Sequence, residues 1–371
     1  MPGPGLGSRI GPPVNESRTS TLDRETAATD RDHRYIRQEL FHPIGRDGQE
    51  KLKQTQVALI GCGALGSAIA DLLVRAGIGK LTIVDRDYVE LHNLQRQSLY
   101  TEFDVHSHTP KAVAAAAKLG QINSDVTITP VVTDFNSENA ETIVHDSTII
   151  VDGTDNFETR YLLNDLSVKL GIPWVYGGAV ASHGTTMTIR PGFTPCLRCV
   201  FPEPPEPGSA PTCDTAGVIG PSVHAIAAIE ALEVIKLAIG EVDALNSSLL
   251  AIDLWQLTFD RVPLQSPRAD CPTCGRRQFD FLNQWLPSQS TVLCGHDAVQ
   301  VRPGPGVKLD LTAMSARLQP LGEVKQTRFL LFFVDPLTKA ELTIFPDGRA
   351  IVKGTTDEAV ARSIYARYVG N

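Results

Sequence analysis

The chain has 371 residues, enough for one large α/β domain and a smaller one. Its formal net charge of −8 at pH 7 argues against nucleic acid as a partner, because phosphate backbones attract basic surfaces. No apolar run approaches the length that spans a membrane, so we expect a cytoplasmic protein without a membrane partner. Residues 1–30 are rich in Gly, Pro, Ser and Thr and lack the apolar segment of a signal peptide, which predicts a disordered N-terminal extension.

A strand, a glycine turn and a helix follow one another from residue 57. The apolar run at 57–60 leads into Gly-Cys-Gly-Ala-Leu-Gly at 61–66 and then into a helical pattern. Such a turn holds phosphate groups with backbone N–H groups and the positive end of the helix dipole. A second strand at 81–84 ends at Asp85, near the spacing at which an acidic side chain meets the ribose hydroxyls of a nucleotide. Together these elements predict a nucleotide site.

The residues that follow Asp85 carry more positive charge than a pyrophosphate alone requires. Residues 85–97 and the later pair Pro110-Lys111 place cations and amides beyond the strand end. Arg and Lys side chains are the usual means of offsetting the charge that builds on a leaving pyrophosphate. The pattern therefore favours a triphosphate.

Another carboxylate group follows the apolar strand pattern at 148–151. The residues there are Asp-Gly-Thr-Asp-Asn at 152–156, at the strand end where open α/β sheets bind ligands. Asp155 is therefore a candidate Mg²⁺ ligand. The alternative is that Asp155 and Asn156 only cap the helix that starts near Phe157.

Strand and helix patterns alternate through this part of the chain. Strand patterns begin near residues 57, 81, 126, 148 and 174, and helical patterns begin at residues 64, 111, 137 and 157. The alternation indicates an α/β fold with a Rossmann-like, doubly wound, mostly parallel sheet. Later strand patterns at 185–189 and 249–259 are candidates for antiparallel strands, with a helical pattern at 222–239 between them.

Four of the seven cysteines form two Cys-x-x-Cys pairs, Cys196 with Cys199 and Cys271 with Cys274. Four thiolates complete a tetrahedral Zn²⁺ site with Zn–S distances of about 2.3 Å. The long separation of the pairs means that the ion would join distant parts of the chain, and four thiolates leave no open position, so we interpret the zinc as structural. A disulfide is the weaker alternative, since nothing marks the protein as exported.

Eight motifs occur in one order between residues 31 and 274. They are Arg-Tyr-Ile-Arg-Gln at 34–38, the glycine turn, Asn-Leu-Gln-Arg-Gln at 93–97, Pro-Lys at 110–111, Thr-Asp-Asn at 154–156, the two Cys-x-x-Cys pairs, and Thr-Cys-Asp-Thr-Ala-Gly-Val at 212–218. In this order they resemble the ThiF/MoeB group of sulfur-carrier adenylyltransferases, which are relatives of the ubiquitin-activating enzymes.

The resemblance implies ATP as the nucleotide and a ubiquitin-like sulfur carrier protein ending in Gly-Gly as the partner. The C-terminal carboxylate of the carrier attacks the α-phosphate, forms an acyl-adenylate and releases pyrophosphate. This is a step of sulfur transfer in thiamin or molybdopterin-type cofactor biosynthesis, and a sulfur donor enzyme is a further candidate partner.

The resemblance also implies roles for single residues. Arg96 and Lys111 contact phosphates, and Asp85 contacts the ribose. Asp155 serves the Mg²⁺ ion and the adenylate, with Asn156 beside it. The other nucleotide-binding positions are Gly61, Gly63, Ala64, Gly66, Asp87, His92, Asn93, Leu94, Gln95 and Gln97. Two of them depart from the family pattern, since Ala64 replaces a glycine and His92 stands where serine is common.

For two further positions, the role that the resemblance implies has an alternative. Arg37 resembles an arginine that reaches into the site of the neighbouring subunit, which implies a homodimer; without the family, Arg34 and Arg37 could form one solvated helix face. Cys213 stands where some relatives carry a cysteine used in sulfur transfer or in a covalent link to the carrier. It could act as a nucleophile or be an ordinary residue of its Pro/Gly/Ser-rich loop.

The composition changes after residue 278, and the patterns that follow predict a small α+β domain. We expect a disordered extension at 1–30, an adenylyltransferase domain with the zinc site at 31–278, and this C-terminal domain at 279–371. Its candidate roles are binding the carrier, binding a sulfur donor, or extending the dimer.

Two other classes of function remain open at the level of sequence. An NAD(P)-dependent oxidoreductase would use the glycine turn and Asp85, but it leaves Arg96, Lys111 and Asp155 without a role. A non-catalytic scaffold, like the inactive half of a heterodimeric activating enzyme, would usually have lost phosphate-binding residues that this chain keeps.

Overall fold

Two β-sheets organise the residues that this computed structural model describes, which are 34–205, 213–283, 290–293, 297–302 and 307–370. The predicted N-terminal extension at 1–30 lies outside the described residues. None of the described helices is both long and apolar enough to cross a membrane.

The first part of the chain alternates strand and helix, as predicted. Its elements are α1 (Ile36–Glu39), α2 (Gly45–Gln54), β1 (Gln56–Ile60), α3 (Ala64–Ala76), β2 (Lys80–Val84), α4 (Glu102–His106), α5 (Lys111–Ile122), β3 (Thr127–Val131), α6 (Ala140–Val144), β4 (Ile149–Asp152) and α7 (Phe157–Leu170). The elements that complete this part are β5 (Trp174–Val180), β6 (His183–Ile189), α8 (Leu197–Val200), α9 (Cys213–Ala216), α10 (Gly220–Ile239), β7 (Ser248–Asp253), β8 (Thr258–Pro263) and α11 (Asp280–Asn283).

The first sheet has eight strands in the order β3-β2-β1-β4-β5-β6-β7-β8. Its first five strands pair in parallel, whereas β5 to β8 pair antiparallel, which confirms the predicted Rossmann-like α/β class. Because β1 lies between β2 and β4, the strand order reverses there. Open α/β sheets bind ligands beside the carboxyl ends of the strands at such a reversal.

Helices cover both faces of this sheet, so β1 is buried on both sides. Val57 and Leu59 belong to a cluster with side chains of α3, α5 and α10, whereas Ala58 and Ile60 belong to a cluster with α6 and α7. Side chains alternate between the faces of a strand, which is why a strand that serves two cores is an unbroken apolar run.

One predicted strand is interrupted in the structure. Within residues 249–259, β7 ends at Asp253 and β8 begins at Thr258, and the two strands pair antiparallel. Leu257 has a φ of 55°, and the Asp253 carboxylate accepts the N–H of Trp255 at 2.9 Å. A carboxylate that accepts a backbone N–H two residues ahead stabilises a turn. The apolar residues of this segment favoured a continuous strand, so the turn was not predicted.

The second sheet is antiparallel and has six strands in the order β11-β12-β13-β14-β10-β9. Its elements are β9 (Ser290–Leu293), β10 (Ala298–Val301), α12 (Leu311–Leu318), β11 (Val324–Gln326), β12 (Leu331–Val334), β13 (Glu341–Ile344), β14 (Ala350–Lys353) and α13 (Glu358–Tyr368). Side chains of α12 and α13 share a buried cluster with one face of this sheet. The α+β character matches the prediction, although β9 and β11 were not predicted. The domain boundaries themselves stay a prediction.

Candidate functional site

The glycine turn between β1 and α3 packs directly on the loop that follows β4. Gly61 has a φ of 87°, which favours glycine. A Cβ atom on Gly66 would lie 2.0 Å from the carbonyl O of Gly61, and one on Gly153 would lie 2.3 Å from the same atom. Around Gly63 the nearest atom would be 3.8 Å away. The N-terminus of α3 is thereby left with room for a ligand, as the phosphate prediction requires.

Gln97 lies at this open position with an unused acceptor. The amide nitrogen of Gln97 is the atom nearest to Gly63, and the residue is 4% exposed. Within the described residues its Oε1 has no hydrogen-bond partner. A buried polar atom without a partner costs free energy, so a bound molecule that donates to Oε1 would remove that cost.

Asp85 organises the backbone on the β2 side of the turn. One oxygen of its carboxylate accepts the N–H of Cys62 at 2.7 Å, and the other accepts the N–H of Asp87 at 2.7 Å. Burial raises the pKa of Asp85, while the charge of Lys111 opposes that shift. The strand-end position is as predicted, and the ribose contact remains a prediction.

Lys111 lies against Asp87 at the start of α5. Its Nζ is 3.1 Å from the Asp87 carboxylate, and its backbone N–H donates to the Asp87 carbonyl O at 2.8 Å. Burial disfavours the charge, but Asp87 and Asp85 outweigh that cost and hold the pKa of Lys111 above its usual range. These two carboxylates therefore favour the charged form of Lys111 beside the glycine turn.

The segment from His92 to Gln97 forms a short turn beside the same site. Asn93 accepts the N–H of Glu90 at 3.0 Å, and Arg96 donates to the carbonyl O of His92 at 2.9 Å. Tyr100, just beyond the segment, donates its hydroxyl to the carbonyl O of Cys62 at 2.7 Å. The segment is thus held against the glycine turn. Its nucleotide contacts stay a prediction.

The two predicted residues after β4 have different environments. Asn156 accepts the N–H of Thr159 at 2.8 Å and caps α7, and its contact with the nucleotide stays a prediction. Asp155 is exposed, and within the described residues it takes part in no hydrogen bond or ion pair. It lies within electrostatic range of Lys111 and Arg86. Asp155 is therefore free to bind a cation.

Sequence reasoning missed the ion pair that supports this loop. Arg160 of α7 lies 3.1 Å from the Asp152 carboxylate and donates to the carbonyl O atoms of Thr154 and Gly177 at 2.8 and 3.0 Å. Both charged side chains are buried. Nothing in the local pattern distinguishes Arg160 from a solvated helix arginine, and only its distance from Asp152 in space reveals the role.

The four paired cysteines meet in one cluster, and all four sulfur atoms lie within 4.8 Å of one another. Cys196 and Cys271 are 3.5 Å apart, and Cys199 and Cys274 are 3.3 Å apart. A tetrahedral ZnS₄ site has S–S separations of roughly 3.8 Å, so the donor set fits zinc. The predicted convergence of distant parts of the chain is confirmed. Cys62, by contrast, is buried in the glycine turn and packs in the core.

Arg37 and Cys213, the two remaining candidate site residues, lie on α1 and α9. Arg37 is exposed on α1, whereas Arg34 donates to the carbonyl O of Ile122 at 3.0 Å. Cys213 is the first residue of α9, is partly buried, and donates its thiol to the carbonyl O of Ala179 on β5 at 3.4 Å. The thiol thus stands at β5, the strand next to β4.

Comparisons with known proteins agree with this geometry. Residues 35–273 match the ThiF family. The chain is 46% identical over 339 residues to a Bacillus subtilis protein named sulfur carrier protein ThiS adenylyltransferase, with 91% of this chain and 99% of that protein covered. It is 41% identical over 262 residues to the SAMP-activating enzyme E1 of Haloferax volcanii, with 71% and 94% covered. The solved structure of Escherichia coli MccB with ATP aligns with a TM-score of 0.56 at 25% identity, covering 65% of this chain and 74% of that one.

Proposed function

This chain belongs to the ThiF family, and we propose that it adenylates the C-terminal Gly-Gly carboxylate of a ubiquitin-like sulfur carrier protein with ATP. The observation that carries the proposal is the buried Lys111, whose ammonium pairs with Asp87 at 3.1 Å beside the open N-terminus of α3. The near full-length relative from Bacillus subtilis favours a thiamin-type carrier over a molybdopterin-type one.

The reaction requires positioning and charge neutralisation more than proton transfer. A carboxylate is already ionised at neutral pH, so it needs no general base. A carboxylate oxygen bonds to the α-phosphorus, the bond to the bridging oxygen breaks, and pyrophosphate leaves with the electron pair. Lys111 and Arg96 neutralise the phosphates, the backbone at Gly63 and Ala64 cradles them, and Asp85 faces the ribose.

Asp155 would hold a Mg²⁺ ion, because it is exposed and makes no hydrogen bond or ion pair within the described residues, and carboxylate oxygens are ligands that this hard cation prefers. When bound, the ion supplies positive charge to the triphosphate. Gln97 supports the same arrangement, since its free Oε1 suits a donor group of the nucleotide.

The cysteine cluster would hold one structural Zn²⁺ ion through Cys196, Cys199, Cys271 and Cys274. All four positions of a tetrahedral site are then filled by protein, which leaves none for substrate. The ion would tie α8 to the segment before α11.

Cys213 would act after adenylation. Its thiolate attacks the carbonyl carbon of the acyl-adenylate, the bond to the AMP oxygen breaks, and a thioester to the carrier forms as AMP leaves. The contact of Cys213 with β5 supports this role, because β5 neighbours the strand that ends in the Asp155 loop.

Arg37 would complete the site of a second subunit in a cytoplasmic homodimer, which fits its exposure on α1. Co-expression of an Arg37→Ala chain with a Lys111→Met chain tests this directly. Each variant alone should be inactive, and the mixed dimer should regain activity, because one of its two sites has both residues. Failure to regain activity contradicts the shared site.

The proposed reaction is tested by ATP–pyrophosphate exchange with the carrier from the same cell. Exchange should require the intact Gly-Gly end, and a carrier lacking the final Gly should give none. Arg96→Ala should lower the rate at least about 100-fold. Arg75→Ala is the matched control, because Arg75 lies at the far end of α3 in an exposed ion pair with Asp71. Hydride transfer to NAD(P) without exchange would favour the oxidoreductase instead.

A further inference from the structure

The C-terminal domain covers the loop that follows β2. Tyr88 of this loop belongs to a buried cluster of the second sheet and lies 5.6 Å from Phe332, measured between ring centroids. Lys353 of β14 forms an ion pair with Glu90 at the end of the same loop. Because the loop begins at Asp85, the second sheet contacts a segment that belongs to the candidate nucleotide site.

Arg349 makes the most direct of these contacts. It lies one residue before β14, is 2% exposed, and donates from Nη2 to the carbonyl O of Arg86 at 2.9 Å. Its Nε donates to the Asp347 carboxylate at 3.1 Å, and its guanidinium lies over the ring of Phe345 at 3.6 Å. These two contacts fix the orientation of the guanidinium, so that it can hold a main-chain oxygen of the first sheet in place.

Arg86 stands between the two acidic residues of the nucleotide site. The Asp85 carboxylate accepts the N–H of Asp87, the residue on the other side of Arg86. The Asp87 carboxylate in turn pairs with Lys111. The Arg86 side chain pairs with Asp134 at 2.7 Å and lies 3.8 Å from the Asp87 carboxylate. A shift of the main chain at Arg86 would therefore displace both acidic side chains, through the N–H of Asp87 and through this ion pair.

We propose that Arg349 is a positioning residue for the nucleotide site, holding the main chain of Arg86 so that Asp85 and Asp87 keep their places around ATP. This inference rests on the proposed function, because it assumes that the loop meets ATP. It gives the C-terminal domain a role in nucleotide binding that is separate from any contact with the carrier.

The test replaces Arg349 in the full chain and measures ATP affinity by calorimetry without carrier. Arg349→Met keeps the aliphatic stem but loses the donors, and ATP affinity should fall about 10-fold as the loop shifts. The KM for ATP in pyrophosphate exchange should rise by the same factor, whereas kcat at saturating ATP should change little. Arg349→Lys should give an intermediate loss, since one ammonium cannot reproduce the guanidinium fork.

Arg317→Met is the matched control. Arg317 also donates to main-chain carbonyls, those of Tyr368 and Val369 at 2.7 and 3.1 Å, but these contacts lie within the C-terminal domain. This variant should lower the melting temperature and leave ATP affinity unchanged. Equal ATP affinity in Arg349→Met and the wild type, or an equal loss in Arg317→Met, would overturn the proposal.

A second variant and the wild-type control separate the possible outcomes of this experiment. If Arg349→Met does not fold, Arg349→Lys is compared with Arg317→Met by the same measurements, and unchanged affinity in it likewise overturns the proposal. Absence of exchange in the wild type would defeat the proposed function, whereas wild-type exchange with an unchanged KM in the Arg349 variants would defeat only the role of Arg349.

Discussion

The candidate nucleotide site around Lys111 and Asp155 and the cluster of four cysteines both bring together residues from distant parts of the chain. The nucleotide site is open to a ligand, whereas the cysteine cluster is closed. At the strand ends, Asp155 is exposed and Gln97 has a buried acceptor, and neither group has a hydrogen-bond partner in the part of the chain that the structure describes. In the cluster, four sulfur atoms lie within 4.8 Å of one another. Polar side chains without protein partners are available to bind a substrate or a cation. Four thiolates that together fill the coordination sphere of one ion are typical of a structural metal site.

Asp155→Asn should separate reaction from stability most clearly. We expect exchange to fall about 10³-fold, which is about 4 kcal/mol of transition-state stabilisation, because the proposed ligand of Mg²⁺ loses its charge. The melting temperature should not change, since the side chain is exposed and unpaired. Glu158→Gln, another exposed carboxylate nearby on α7, serves as the control and should retain full exchange. A cold-labile or unfolded Asp155→Asn protein would contradict the distinction.

Arg160→Met should weaken both the open site and the fold. Removing the guanidinium leaves Asp152 buried without its charge partner, and the free energy of unfolding should fall by about 3 kcal/mol. Urea denaturation measures this loss. Changing Asp152→Asn in the same chain should recover part of it, because the unpaired charge disappears. A loss no larger than that of Arg75→Met, whose ion pair is exposed, would show that the buried pair has no such role.

Metal removal should lower the stability of the protein through the cysteine cluster and leave pyrophosphate exchange unchanged. One zinc per chain is expected in freshly purified, reduced protein. If free zinc stands about 100-fold above its Kd, chelation should cost about 2.7 kcal/mol of unfolding free energy. Cys271→Ser should reproduce that loss, and protein that remains folded should still catalyse exchange. Full stability without metal would contradict the structural zinc.

Cys213→Ala should have the smallest effect on exchange, namely none, because acyl-adenylate formation needs no thiol. Thiocarboxylate formation on the carrier should fail if the thiol is the nucleophile. Mass spectrometry of wild type with carrier and ATP, under non-reducing conditions, should then find a carrier adduct at this residue. No adduct, together with a fully active alanine variant, would leave Cys213 as an ordinary residue of α9.

Local sequence patterns predicted the elements that form the nucleotide site. They did not predict the residues that support it, because those contacts form only in the folded chain. The glycine turn, Lys111 and Asp155 were found because strand ends and turns are encoded within a few residues. Arg349 acts on the main-chain oxygen of Arg86, which is 263 residues away in sequence. Arg160 acts on nearer groups, the carbonyl oxygens of Thr154 and Gly177, but no spacing rule distinguishes either residue from a surface arginine. The convergence of the cysteines was predictable because metal ligands carry their own spacing.

The glycine turn packs at Gly61 against the backbone of Gly153, which emerges from the ribosome much later than the turn itself. A nascent chain that ends before β4 has the glycine sequence without this support. We therefore expect such a chain to bind ATP only after β4 has been made and has paired with β1.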